Sequence, residues 1–126
     1  MALALACLVA LALLAGCGED DEPAAPATEL VVRVDRDGPR GPEDAREATV
    51  RCPGGSDACA AAAELSAADF APVPGNRACT LQYGGPDTAR VTGTLRGEEI
   101  DARFSRTDGC EIHRWETVRQ LLDAAL

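Results

Sequence analysis

Four cysteines constrain this chain more than anything else in it. Of the six present, Cys7 lies inside an apolar leader and Cys17 stands at its end, which leaves Cys52, Cys59, Cys79 and Cys110 for the part that folds. An even set of thiols in an exported chain is normally oxidised to disulfides. The domain needs them, because a chain this short buries only about 60 to 70% of its unfolded surface. Its core is also poor in large side chains: Phe70, Tyr83, Phe104 and Trp115 are the only aromatics, and Val, Leu and Ala supply the rest. Four cysteines allow three pairings, and the sequence alone does not choose among them. Locality favours Cys52 with Cys59 and Cys79 with Cys110, and that pairing is the expectation. The longer of these two bridges would stabilise the fold by about 3 to 4 kcal/mol on the chain-entropy model. The rival use of the thiols is a metal site, since Cys110-Glu111-Ile112-His113 has Cys-x-x-His spacing. One histidine does not make a zinc signature, so neither a metal nor a cofactor is expected.

The leader, Met1 to Gly16, reads MALALACLVALALLAG and carries no charged side chain. It falls short of the roughly 20 residues a spanning helix needs, so residues 1–16 read as a signal peptide, although the usual basic start is missing. Leu14-Ala15-Gly16-Cys17 is similar to the bacterial lipobox. That likeness implies cleavage before Cys17, a lipid on its thiol, and an outward-facing membrane lipoprotein; without the lipid, the chain would be secreted. The stretch up to Thr28 is rich in acids, Pro and Ala, too little apolar surface to fold, so residues 17–28 are expected to be a flexible tether. The folded domain would then be 29–126. A formal charge of -9, from 21 acids against 12 basic residues that are all Arg, repels a phosphate backbone. Nucleic acid is therefore excluded as a partner.

Within the domain, Glu29 to Asp35 and Glu47 to Cys52 are β-branched runs separated by Gly and Pro, and predict an antiparallel pair. Ser56 or Asp57 should cap a helix over Ala58 to Phe70. The pattern returns to strand from Cys79. Thr88 to Phe104 predicts a hairpin with its turn at Arg96 to Glu99 and with Val91, Leu95, Ile100, Ala102 and Phe104 facing the core. Trp115, Val118, Leu121, Leu122 and Ala125 recur at helical spacing, so a closing helix is expected over Arg114 to Leu126. The fold class is α+β, an antiparallel sheet with two helices. Candidate catalytic groups are few: His113 alone, Ser56, Ser66 and Ser105 without a nucleophile context, and the pair Glu98-Glu99 beside a turn. They do not form a recognisable set, and an enzyme is not expected.

From Cys79 onward the chain reads CTLQYGGP, then a Val/Thr/Leu hairpin, then FSRTDGCEI. Together with Leu30 to Val34, Thr49 to Cys52 followed by Pro53, and Cys59, these segments resemble the subtilisin inhibitor-like family of secreted bacterial serine-protease inhibitors. The resemblance covers most of residues 29 to 112. It implies an antiparallel sheet of about five strands covered by two helices, with disulfides Cys52–Cys59 and Cys79–Cys110. It also implies a reactive loop of Cys79, Thr80, Leu81, Gln82 and Tyr83 that enters a protease cleft as an added strand, with Leu81 in the specificity pocket and Leu81–Gln82 as the reactive bond. The partner would be a subtilisin-like serine protease. Related inhibitors are often homodimers joined through their sheets, so a homodimer is among the states implied. Three features depart from the family pattern: Thr80 replaces a usual Pro, Gly84-Gly85 adds a residue before Pro86, and a regular helix replaces an irregular tail. The competing reading makes Tyr83 to Pro86 a turn that opens the hairpin, with Leu81 and Tyr83 packed as strand residues. On that reading the chain is a non-inhibitory extracellular binding module.

Overall fold

Alternation of apolar and polar side chains builds the sheet. In the computed structural model, which describes residues 26–38 and 44–126, Leu30, Val32 and Val34 of the first strand, β1 (Thr28–Asp35), are buried. Glu29 and Arg33 point the other way, to solvent. The second strand, β2 (Arg46–Cys52), pairs antiparallel with β1 in the register Leu30 to Val50 and Val32 to Ala48. A hairpin follows later in the chain, β3 (Thr88–Leu95) and β4 (Glu98–Phe104), and β3 pairs antiparallel with the free side of β1. The order is β2-β1-β3-β4, four strands rather than about five. The two-residue turn at Arg96-Gly97 has φ of 46° and 84°, the left-handed geometry that matches the twist of a tight hairpin.

Two helices cover one face. The first, α1 (Asp57–Ala63), is capped by Ser56, whose hydroxyl accepts the Cys59 amide at 3.1 Å. It stops well before Phe70. Arg96 explains the early end: its guanidinium donates to the carbonyls of Ala62 and Leu65, satisfying groups that a longer helix would have used. A separate 3-10 turn, Ala67–Phe70, begins at Ser66 with a capping box to Asp69. The closing helix, α2 (Gly109–Ala125), starts five residues earlier than Arg114, because the Asp108 carboxylate accepts the Glu111 amide at 2.9 Å and caps it there. Trp115, Val118, Leu121 and Leu122 are the buried side of α2, each worth about 1.5 to 3 kcal/mol of apolar burial. They join Leu30, Val32, Val91 and Phe104 in one core.

The disulfides are Cys52–Cys59 and Cys79–Cys110, the pairing favoured by locality. The first ties the end of β2 to α1. Thr28, assigned above to the tether, instead belongs to β1, is buried, and accepts the Arg96 amide on its hydroxyl at 3.0 Å. The expected signal peptide, Cys17 and the tether up to residue 25 lie outside the described residues. Among the described residues no helix is long and apolar enough to cross a membrane. Two disulfides are consistent with an oxidising, extracellular setting. The second face of the sheet is open to solvent and carries the cross-strand ion pairs Arg33–Glu47, Arg51–Glu29 and Arg90–Asp101. Exposed pairs of this kind contribute little.

Candidate functional site

The strand expected from Cys79 does not form: residues 77 to 85 have no regular secondary structure. The reason is visible in the backbone hydrogen bonds. Thr80 accepts from the Gly109 amide at 3.0 Å, and the Gly84 amide donates to the Arg106 carbonyl at 2.7 Å. These two contacts, four residues apart on the loop and three apart on the segment before α2, leave no ladder between them. Leu81, Gln82 and Tyr83 arch away instead. The Cys79–Cys110 bridge, with Cα atoms 5.4 Å apart, fixes the near shoulder one residue before Thr80.

The crest is exposed and apolar. Leu81 is 99% exposed and Tyr83 66%; among the described residues, Leu126 at the carboxyl end is the other large apolar side chain that is exposed. Neither Leu81 nor Tyr83 is packed as a strand residue, contrary to the packing that the turn reading gave them. A fully exposed Leu forgoes about 1.5 to 3 kcal/mol that burial would supply.

The loop sits closely on its support. A Cβ at Gly109 would lie 2.0 Å from the Thr80 hydroxyl oxygen and 3.3 Å from the Thr80 Cβ, so the residue opening α2 has to be small for the loop to rest there. On the far shoulder, a Cβ at Gly84 would meet Ile112 at 3.0 Å and the Arg106 Cβ at 3.2 Å. Gly85 has a φ of +128°, a conformation few residues other than glycine adopt. The Gly-Gly pair that lengthens the loop is therefore where the chain lies flat against Arg106 and Ile112. Asp87, just beyond the loop, is mostly buried and receives Arg106 Nη1 at 3.5 Å and Arg36 Nη1 at 3.7 Å. The Arg106 guanidinium also lies 6.0 Å from the centre of the Trp115 ring.

Other residues singled out in the sequence are placed elsewhere. Ser56 and Ser66 serve as helix caps, Ser105 shares a hydrogen bond with Thr107 at 3.1 Å, and His113 is exposed on α2. Among the described residues no hydrogen bond joins any of these hydroxyls to His113. Glu98 and Glu99 are exposed at the start of β4. Cys110 is bonded to Cys79, so the Cys-x-x-His spacing has no free thiolate to offer a metal. The residues that sequence reasoning missed are Arg106, Asp87 and Gly109. A signal for the last was present, since Asp108 followed three residues later by Glu111 is a helix-start pattern that places Gly109 first in α2. No protein-family model matches the chain, and neither the curated proteins nor the solved structures include a significant match.

Proposed function

We propose that this protein is an inhibitor of subtilisin-like serine endopeptidases and that it binds them as a substrate does, through Cys79, Thr80, Leu81, Gln82 and Tyr83. The observation that carries this reading is the pairing of a 99% exposed Leu81 with a loop held at both shoulders. An exposed apolar side chain on a mobile loop would be cut. On a fixed loop it can enter an apolar specificity pocket while the backbone on either side adds to the protease as a strand. Fixing three crest residues in advance removes ordering cost at about 1 to 2 kcal/mol per residue, and that saving favours binding over turnover.

Chemically, the reactive bond is Leu81–Gln82. Leu81 suits the large apolar pockets of subtilisin- and chymotrypsin-type enzymes and lacks the charge a trypsin-type pocket requires. Exposure of the loop in a disulfide-bonded domain is consistent with a partner met outside the cell, and a lipid on Cys17 would keep the inhibitor at the membrane surface. The resemblance to the subtilisin inhibitor-like family supports the same reading.

Titration of subtilisin and chymotrypsin with the oxidised protein tests the proposal. Stoichiometric inhibition, with any slow cut falling between Leu81 and Gln82 by mass spectrometry, is the expected result. Rapid cleavage at that bond, or no inhibition, refutes it and leaves a binding module whose partner is not a protease.

A further inference from the structure

Arg106 touches the far shoulder of the loop in three ways. Its carbonyl accepts the Gly84 amide at 2.7 Å, its Cβ would lie 3.2 Å from a Cβ placed on Gly84, and its guanidinium reaches Asp87 at 3.5 Å and the Trp115 ring at 6.0 Å. This arrangement carries a cost. Arg106 Nε is buried and has no hydrogen-bond partner among the described residues, and an unsatisfied buried donor opposes folding. An apolar side chain could pack on Trp115 without that penalty. What it could not do is hold Asp87, and through Asp87 the stretch that follows Gly85 and Pro86.

We infer that Arg106 is the positioning residue for the Gln82 side of the reactive bond, an inference that rests on the inhibitor reading. Two anchors lie on one short segment, Arg106 to Cys110. The Leu81 side is held by the Cys79–Cys110 bridge and by Thr80 on Gly109; the Gln82 side is held by Gly84 and Asp87 on Arg106. When the protease serine attacks the Leu81 carbonyl carbon, the bond to Gln82 breaks, an ester forms, and the serine proton passes to the Gln82 nitrogen. If the amine drifts away, water takes its place and the ester is hydrolysed to a Leu81 carboxylate. Held by Arg106, the amine stays at high effective concentration beside the ester and attacks it in return. The peptide bond re-forms and the serine recovers its proton. The first shoulder cannot do this alone, because the disulfide and Gly109 restrain only the residues before the cut.

The test compares wild type with Arg106→Met, which keeps an apolar stem under Gly84 and removes the guanidinium, and with Asp87→Asn. Each is incubated with a trace of subtilisin until the ratio of cut to intact chain is constant, and that ratio is read by mass spectrometry alongside the inhibition constant. Arg106→Met should raise the ratio by about five- to tenfold, the size expected for a partly buried ion pair with a cation–π contact, and Asp87→Asn, which loses the ion pair alone, by about two- to fivefold. A merely stabilising Arg106 would shift the unfolding midpoint and leave the ratio unchanged. Tight inhibition by wild type with an unaltered ratio in Arg106→Met overturns this inference and spares the inhibitor reading. Absence of inhibition by wild type removes both. Should Arg106→Met fail to fold, Asp87→Asn decides the matter, because it breaks the same ion pair from the other side. An unaltered ratio in Asp87→Asn overturns the inference.

Discussion

Replacing Leu81 by alanine should separate binding from stability almost completely. The side chain is 99% exposed, so the folded domain loses no packing with it, and the change in unfolding free energy should stay within about 0.5 kcal/mol. In a protease pocket the same side chain would become fully buried. Leucine exceeds alanine by three carbons, and at about 0.8 kcal/mol for each buried methylene the loss is about 2 to 2.5 kcal/mol. At about 1.4 kcal/mol per factor of ten, the inhibition constant should rise about 30- to 60-fold. Inhibition constants come from progress curves with subtilisin and chymotrypsin, and stability from urea denaturation of the oxidised protein. A core leucine would behave in the opposite sense, costing about 2 to 5 kcal/mol of stability on truncation. A drop in stability of that size, or an unchanged inhibition constant, would refute the argument that Leu81 is held out for a partner.

Three further outcomes are expected. Leu81→Lys should transfer inhibition from subtilisin to trypsin-like proteases in the same assays, because the loop stays in place while its crest acquires the charge that such pockets select. Removing the Cys79–Cys110 bridge as a double serine variant opens a loop of sequence separation 31 and should cost about 3 to 4 kcal/mol in urea denaturation, against about 2 kcal/mol for the Cys52–Cys59 bridge of separation 7. The Asp37 carboxyl is held above its ordinary range, chiefly by a hydrogen bond to the Asp44 side chain and then by the charge of Asp44. Its folded form therefore binds a proton more readily than its unfolded form, so its contribution is favourable in acid and is lost as pH rises through the raised value. Asp37→Asn should give a thermal midpoint at or above wild type at neutral pH, with the difference vanishing in acid.

Much of the scaffold was legible because its determinants are local. Alternation in Leu30 to Val34 and in Val91 to Phe104 named the core face of the sheet, and the spacing of Trp115, Val118, Leu121 and Leu122 named the buried side of α2. The disulfide pairing followed from proximity along the chain. Apart from the start of α2, which the local Asp108 cap sets, what failed was decided by contacts distant in sequence. Arg96, on the hairpin turn, ends α1 at Ala63, and no pattern within residues 58 to 70 records that. Apolar residues at Leu81 and Tyr83 satisfy a period of two and so imitate a strand, but a strand needs a continuous partner, and the segment Arg106 to Gly109 offers only two contacts. The loop's candidate residues and the disulfide at its near shoulder could be named from the sequence, whereas its support at the far shoulder could not. Arg106 looks like one surface arginine among twelve until the fold sets it beneath Gly84.

The path of the chain through the sheet also has a mechanical consequence. The described chain begins at Pro26 beside the Arg96–Gly97 turn, where the Gly97 amide donates to the Ala27 carbonyl at 3.3 Å. The loop joins β3 at the other end, next to Thr88, which pairs with Asp35. A molecule moored through the residues before Pro26 and gripped by its crest would be pulled from opposite poles. Force applied at Thr28 draws β1 one way, and force applied through Thr88 draws β3 the other. The ladder joining them, from Glu29–Thr94 to Asp35–Thr88, then bears the load in shear, with its hydrogen bonds strained together rather than opened in turn.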